Sequence, residues 1–295
     1  MEPLKIVYFG TPDFSADFIK KIISDKKTNI EIIGVVTQID KKVGRKQILT
    51  TSPVKKLALN NFLKVFYNFK SKDFISQAIK SDLGLVFSYG KIIPSDVLKL
   101  FKYGVWVIHP SILPKYKGAS PIAYSLINGD EKTGVTFIIA DEGIDTGDII
   151  GQEEINIKSD EKRNELTNRL VEVAYFLFKK CISTFVNNNY KIFSEKQIIG
   201  QYPVTKKLVK EQGFVTPAAL NLAMKKNGKK TYNLYRGLYP WPGIWTMVKV
   251  KGQEKRLKIT EMKLDENKIV LKKVQLEGKK EVDFSIFNSA YNIFI

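Results

Sequence analysis

Apolar positions in the first two-thirds of the chain fall in short unbroken runs, with helical patterns between them. Leu4-Lys5-Ile6-Val7-Tyr8-Phe9-Gly10 is the first run and closes on glycine. Thr11-Pro12-Asp13 follows, and Phe14, Phe18, Ile19, Ile22 and Ile23 then recur at helical spacing, so strand, turn and helix are predicted in that order. Similar runs predict strands at 30–36, 83–88, 105–108 and 135–140, and helical spacing predicts helices over 53–63 and about 160–186. Strands and helices in alternation imply an α/β fold built on a Rossmann-like, doubly wound parallel sheet. Its ligands are expected beyond the carboxyl ends of the strands.

After Asn187-Asn188-Asn189 the pattern changes. Residues 190–205 lack helical periodicity and read as a linker between a first domain at 1–189 and a second at 206–295. In the second, alternating runs such as Trp245-Thr246-Met247-Val248-Lys249-Val250, Leu257-Lys258-Ile259-Thr260, Ile269-Val270-Leu271 and Val282-Asp283-Phe284 are spaced by Gly, Asn and Lys turns. They predict a small antiparallel β-barrel of the oligonucleotide-binding (OB-like) type.

At 295 residues, 44% hydrophobic and 26% charged, the chain suits two globular domains and excludes generic disorder. No apolar run approaches the roughly 20 residues of a membrane span, and the N-terminus carries no signal-peptide pattern, so a cytoplasmic protein with no membrane partner is expected. Cys181 and His109 are the only cysteine and histidine. That excludes an intrachain disulfide framework and multi-cysteine metal centres, and no metal is expected. A formal net charge of +18 favours a polyanionic partner. From Tyr190 onward there are 21 basic and 9 acidic residues, so +12 of that charge lies in the last third of the chain.

Gly10-Thr11-Pro12 does not complete G-x-G-x-x-G and reads first as a tight turn, although its backbone can approach a ligand or a terminal nucleotide. His109-Pro110-Ser111-Ile112-Leu113-Pro114 follows a predicted strand, stiffened by two prolines, where a doubly wound sheet places its site. Asp141-Glu142-Gly143-Ile144-Asp145-Thr146-Gly147-Asp148 follows another strand, with glycines for close backbone approach and aspartates to orient an imidazole. Taken singly, the histidine is a structural residue and the acidic loop a solvated turn. Together at strand ends they are a candidate pair for general acid–base work, because a neighbouring carboxylate favours a protonated imidazole.

Several of these elements form a set that spans nearly the whole chain. Phe9-Gly10-Thr11-Pro12-Asp13-Phe14, Val43-Gly44-Arg45-Lys46, Ser52-Pro53-Val54-Lys55, Tyr89-Gly90, the stretch from His109 to Ile122, Gly129-Asp130, Thr133-Gly134-Val135-Thr136, the Asp141 to Asp148 loop and Tyr239-Pro240-Trp241-Pro242-Gly243 closely resemble the methionyl-tRNA formyltransferase family. The His109 and Asp145 loops resemble those of other enzymes that use 10-formyltetrahydrofolate, and the Gly-Arg loop and Pro-Trp-Pro element point to the tRNA member. The resemblance implies formyl transfer from 10-formyltetrahydrofolate, a co-substrate, to the α-amino group of methionyl-initiator tRNA. It implies that His109 hydrogen-bonds or protonates the tetrahedral oxyanion and that Asp145 tunes it. Ser111, Ile112, Leu113, Pro114, Tyr89 and Gly90 would line the folate site. Arg45, Lys46, Gly10, Thr11 and Lys206 would meet the tRNA. A monomer is expected.

One departure bears on turnover. The family has asparagine two residues before the histidine, and Trp106-Val107-Ile108-His109 puts Val107 there. Valine has neither donor nor acceptor, and removing one oxyanion donor typically costs on the order of a hundredfold to a thousandfold in turnover. The fold is expected to tolerate valine, which favours strands. A second departure, Val215-Thr216-Pro217 after Lys210-Glu211, falls where the family continues to an Ile-Asp-Trp element. Two alternatives remain open: a catalytically impaired folate- and tRNA-binding protein, and a formyltransferase acting on a small amine.

Overall fold

The first apolar run forms β1 (Leu4–Gly10), and the helical pattern behind it forms α1 (Asp13–Ser24), which buries Ala16, Phe18, Ile19 and Ile22. In this computed structural model residues 2–44, 47–198 and 202–294 are described; Arg45 and Lys46 lie outside that range. The chain continues through β2 (Ile30–Val36), the hairpin β3 (Lys41–Val43) and β4 (Ile48–Thr50), α2 (Pro53–Asn60), β5 (Val65–Phe66), α3 (Lys72–Ile79), β6 (Leu83–Phe87), α4 (Ser95–Leu98) and β7 (Val105–His109). Then come α5 (Pro121–Asn128), β8 (Lys132–Ile139), β9 (Ile149–Asn156) and α6 (Arg163–Asn187).

The large sheet has the order β5-β2-β1-β6-β7-β8-β9. Strands β5, β2, β1, β6 and β7 are mutually parallel, and the order reverses between β1 and β6, the switch point at which such sheets bind ligands. Strand β8 runs antiparallel to β7 and pairs Thr136 with His109. The expected doubly wound parallel sheet is thus present as a core of five parallel strands, to which β8 adds an antiparallel neighbour. The run at 135–140 is buried almost throughout, and a strand covered on both faces carries no sign of its direction.

Helix boundaries follow local chemistry. Ser52 caps α2 by accepting from the Lys55 N–H, and Pro53 opens it. The helix stops at Asn60 rather than 63, because Phe62 takes a left-handed φ of 56° that no helix continues through. On α6, Leu166, Leu170, Leu177, Phe178, Cys181 and Phe185 are buried in one stripe at helical spacing.

Contacts divide the chain into two compact units, Met1–Gly118 with Gly134–Glu154 and Asn168–Pro203, and Ala119–Thr133 with Ile155–Thr167 and Val204–Ile295. The boundary expected at 189, with a linker to 205, does not describe this division. Residues after 189 pack in the first unit: Tyr190 stacks on Tyr103 at 5.5 Å, and Glu195 bridges to Ile149. Residues of α5, by contrast, belong to the core of the second unit.

That second unit contains a 3-10 turn at Lys210–Gly213, α7 (Pro217–Lys225), α8 (Lys229–Leu238), β10 (Ile244–Val250), β11 (Gln253–Asp265), β12 (Lys268–Leu276), β13 (Glu281–Asp283) and α9 (Phe284–Tyr291). The four strands form an antiparallel meander in chain order. Ile244, Val248, Leu257, Ile259, Leu271 and Val274 face one core with Leu220, Tyr232, Tyr235 and Phe287 of the helices. Among the described residues no helix is long and apolar enough to cross a membrane.

Candidate active site

The loops that leave β1, β2 and β6 are tied to one another. Thr11 Oγ1 and Gln38 Nε2 both donate to the Tyr89 carbonyl, at 3.0 and 2.9 Å. Ser88 and Gly90 flank it with φ of 57° and 81°, a turn that glycine permits at little cost. The Tyr89 side chain is buried among Phe9, Phe69 and Val107, and its hydroxyl has no partner among the described residues. Burial pushes that hydroxyl up from its ordinary pKa, so it stays a neutral donor.

His109 ends β7, only 5% exposed. Its Nδ1 lies 3.3 Å from Asp145 Oδ2, and its Nε2 donates to the Tyr116 carbonyl at 2.8 Å. A carbonyl only accepts, so the Nε2 that faces Tyr116 carries a proton. Both ring nitrogens thus face a partner, Nδ1 the Asp145 carboxylate and Nε2 the Tyr116 carbonyl.

Each loop is braced from behind. The Ser111 hydroxyl donates to the Lys115 carbonyl, and the Thr136 hydroxyl donates to the Ser111 carbonyl while accepting from the Leu113 N–H. Gln152 Nε2 donates to Thr136 Oγ1 and to the Leu113 carbonyl. Asp145 also accepts from the Gly118 N–H at 2.7 Å, and Gln197 Nε2 donates to the carbonyls of Asp145 and Gly147. A Cβ on Gly147 would fall 1.6 Å from the Ile139 carbonyl oxygen, so only glycine lets the acidic loop lie so close to the end of β8.

The structure therefore brings together His109 with Asp145 and Ser111 with Leu113, and separately ties Thr11 to Tyr89. Pro114 follows Leu113 through a cis peptide bond. Val107 lies two residues before His109 and so on the same face of β7; it is partly accessible and packs with Val86, Tyr89, Val105 and Ala140. Arg45 and Lys46 lie outside the described residues, and Lys206 is exposed in the second unit. Sequence reasoning missed Tyr116, Gln152 and Gln197. The first acts through a main-chain carbonyl, which no residue type reveals, and the two glutamines sit in no pattern. Thr136 and Gly118 were within reach, as members of the motif stretches. Among the described residues no group of three or more His, Cys, Asp or Glu could hold a metal ion.

In the second unit the solvent side of β10 and β11 carries Trp245, Met247, Lys249, Arg256 and Lys258, alternating with the buried Ile244, Thr246, Val248, Leu257 and Ile259. The Arg256 guanidinium lies over the Trp245 ring at 5.9 Å. Arg163 holds the Pro-Trp-Pro turn through the carbonyls of Tyr239 and Trp241, and leaves the Trp241 ring half exposed.

Residues 4–182 match the formyl transferase family. The methionyl-tRNA formyltransferase of Clostridioides difficile is 36% identical over 247 residues, which cover 82% of this chain and 76% of that protein. That of Caldicellulosiruptor saccharolyticus is 34% identical over 98% of each chain. A solved N-formyltransferase of Helicobacter canadensis, in complex with folinic acid and dTDP-3-aminofucose, has the same fold, with a TM-score of 0.58 and 20% identity over 95% of this chain and 98% of that one. With relatives that align from end to end and a formyl transferase match over the His109 and Asp145 loops, the chain belongs to the methionyl-tRNA formyltransferase family.

Proposed function

We propose that this protein transfers a formyl group from 10-formyltetrahydrofolate to the α-amino group of methionyl-initiator tRNA, as a cytoplasmic monomer, and that Val107 makes the transfer slow. The observation that carries the reading is the pairing of the buried His109, at the carboxyl end of β7, with the half-buried Asp145, and Val107 on the same face of the strand. The amine nitrogen attacks the formyl carbon, a tetrahedral oxyanion forms, the bond from that carbon to folate N10 breaks, and the proton shed by the amine ends on N10. His109 exchanges the Tyr116 carbonyl for the oxyanion as acceptor of its Nε2 proton, and Asp145 holds the ring's orientation from the Nδ1 side.

The donor fits the residues present. Tyr89, Val107 and Ala140 belong to one apolar cluster that holds a buried hydroxyl without a partner among the described residues, which suits a flat heterocycle with polar edges. Tyr89, Gly90 and residues Ser111 to Pro114 would line its site. The aromatic and basic side of β10 and β11 supports tRNA as the acceptor, because Arg and Lys meet phosphates while Trp faces stack on exposed bases. Arg45, Lys46, Gly10, Thr11 and Lys206 would add to that contact.

Val107→Asn tests the catalytic part. Turnover in single-turnover formylation should rise on the order of a hundredfold with little change in affinity for either substrate, because the restored donor strengthens mainly in the transition state. Full activity in the unaltered chain, unmoved by the change, would place the oxyanion donor elsewhere. The acceptor is tested by salt: affinity for methionyl-tRNA should fall steeply, since each neutralised phosphate releases a counterion. Salt-independent affinity, or formylation of a small amine alone, would contradict the tRNA reading.

A further inference from the structure

Ser52-Pro53-Val54-Lys55 opens α2 and closes the segment that carries the β3–β4 hairpin. Both of its polar side chains reach across to the start of that segment. Ser52 Oγ and Thr37 Oγ1, both buried, share a hydrogen bond of 2.8 Å. Lys55 Nζ donates to the two carboxylate oxygens of Asp40 at 3.0 and 2.8 Å, and it lies over the Tyr67 ring at 5.3 Å. The stem of the hairpin is therefore closed at two levels. Beyond the stem Lys41, Lys42 and residues 47–50 are exposed, and four of the six residues from 41 to 46 are Lys or Arg. A two-stranded ribbon is marginal by itself, so its place on the molecule is set by the stem.

Gln38 stands between the two closures and faces the other way. Its Nε2 donates to the Tyr89 carbonyl at 2.9 Å, while its Oε1 accepts from Lys41 Nζ at the start of β3. A main-chain carbonyl has two acceptor positions, and Thr11 Oγ1 fills the second one at Tyr89. The Tyr89 main chain is thus held by donors from both sides, between a left-handed Ser88 and a left-handed Gly90. A Cβ on Gly90 would fall 2.7 Å from Gln38 Nε2, so the bare glycine is what lets the amide come so close.

We propose that Gln38 is a positioning residue that couples the two substrates. A donor seated at the loop after β6 fixes the Tyr89–Gly90 peptide, Gln38 passes that constraint to the stem, and the stem sets where the basic hairpin meets phosphate. The inference rests on the donor and acceptor proposed above and adds the link between them. Lys55 and Asp40 have a different part: they hold the hairpin on the molecule whether or not the donor is bound.

Linkage between the ligands tests this in the full-length protein, with folinic acid as the donor-site probe. Saturating folinic acid should tighten methionyl-tRNA binding in the unaltered chain by about fivefold or more, the lower end of coupling between linked sites. In Gln38→Met both ligands should still bind, with no effect of one on the other. Trypsin cleavage at the basic residues 41–46 gives a second reading that needs no tRNA. Folinic acid should slow it in the unaltered chain and leave it unchanged in Gln38→Met, whereas Lys55→Met should be cut faster with or without the ligand. Coupling that survives in Gln38→Met, even with a lower thermal midpoint, would overturn the inference and leave Gln38 as a brace for the turn. So would two ligands that bind the unaltered chain independently. A chain that binds no folinic acid, or no methionyl-tRNA, would instead contradict the donor or acceptor reading itself, and the inference would fall with it.

Discussion

Asp145 adopts a φ of 53°, a left-handed conformation that costs a non-glycine residue roughly 1–2 kcal/mol, although short polar side chains tolerate it best. The surroundings hold it there: Gly118 N–H on its carboxylate and Gln197 on its carbonyl. Gln197 is buried, and its remaining Oε1 has no partner among the described residues, so its position is set by the two bonds its amide makes to the loop. We expect Gln197→Ala to release the loop and let Asp145 drift from His109. A displacement of about 1 Å can cost on the order of a hundredfold, so kcat should fall by roughly ten- to a hundredfold while KM for tRNA stays the same. Equal losses in kcat and thermal stability, with KM rising, would mean that Gln197 merely supports the fold. His109 and Asp145 were legible because each stands in a dense motif at a strand end. Gln197 was not, since one amide in a segment without periodicity looks like any surface glutamine.

At the scale of elements, burial decides what a pattern can reveal. The strands of the parallel core showed as apolar runs because both faces are covered, but the same coverage hid the reversed direction of β8. The meander of the second unit showed through its alternation, since one face is wet: Trp245, Met247 and Lys249 lie out while Thr246, Val248 and Val250 lie in. Helix α8 was invisible for the opposite reason. It buries Asn233 and Arg236 along with Tyr232, Tyr235 and Leu238, so its inner stripe does not look apolar. Arg236 is tolerated there because its guanidinium donates to the carbonyls of Lys158 and Glu161 and to Asn233 Oδ1. None of those partners is close enough in sequence to advertise the arrangement except Asn233, three residues away on the same helix face.

For the whole molecule, the consequence of Arg236 is that the second unit is not a stretch of chain. Its core takes Ala123, with Tyr124 and Ile127 packed on it, from α5, and its buried arginine takes two carbonyls from the segment before α6. A chain of residues 206–295 lacks all of these. Uncovering Tyr124 and Ile127 contacts forfeits apolar burial worth about 1.5–3 kcal/mol per large side chain. A buried arginine stripped of partners costs a further several kcal/mol, by comparison with broken buried pairs at about 3–5 kcal/mol. A small domain has only about 5–15 kcal/mol in total. The fragment should therefore show no cooperative thermal transition and poor amide dispersion at neutral pH, and it should bind methionyl-tRNA more weakly than the full chain at equal salt. A sharp transition together with full tRNA affinity would mean that the α5 contacts and the Arg236 carbonyls are dispensable, and that the second unit folds from its own contiguous sequence.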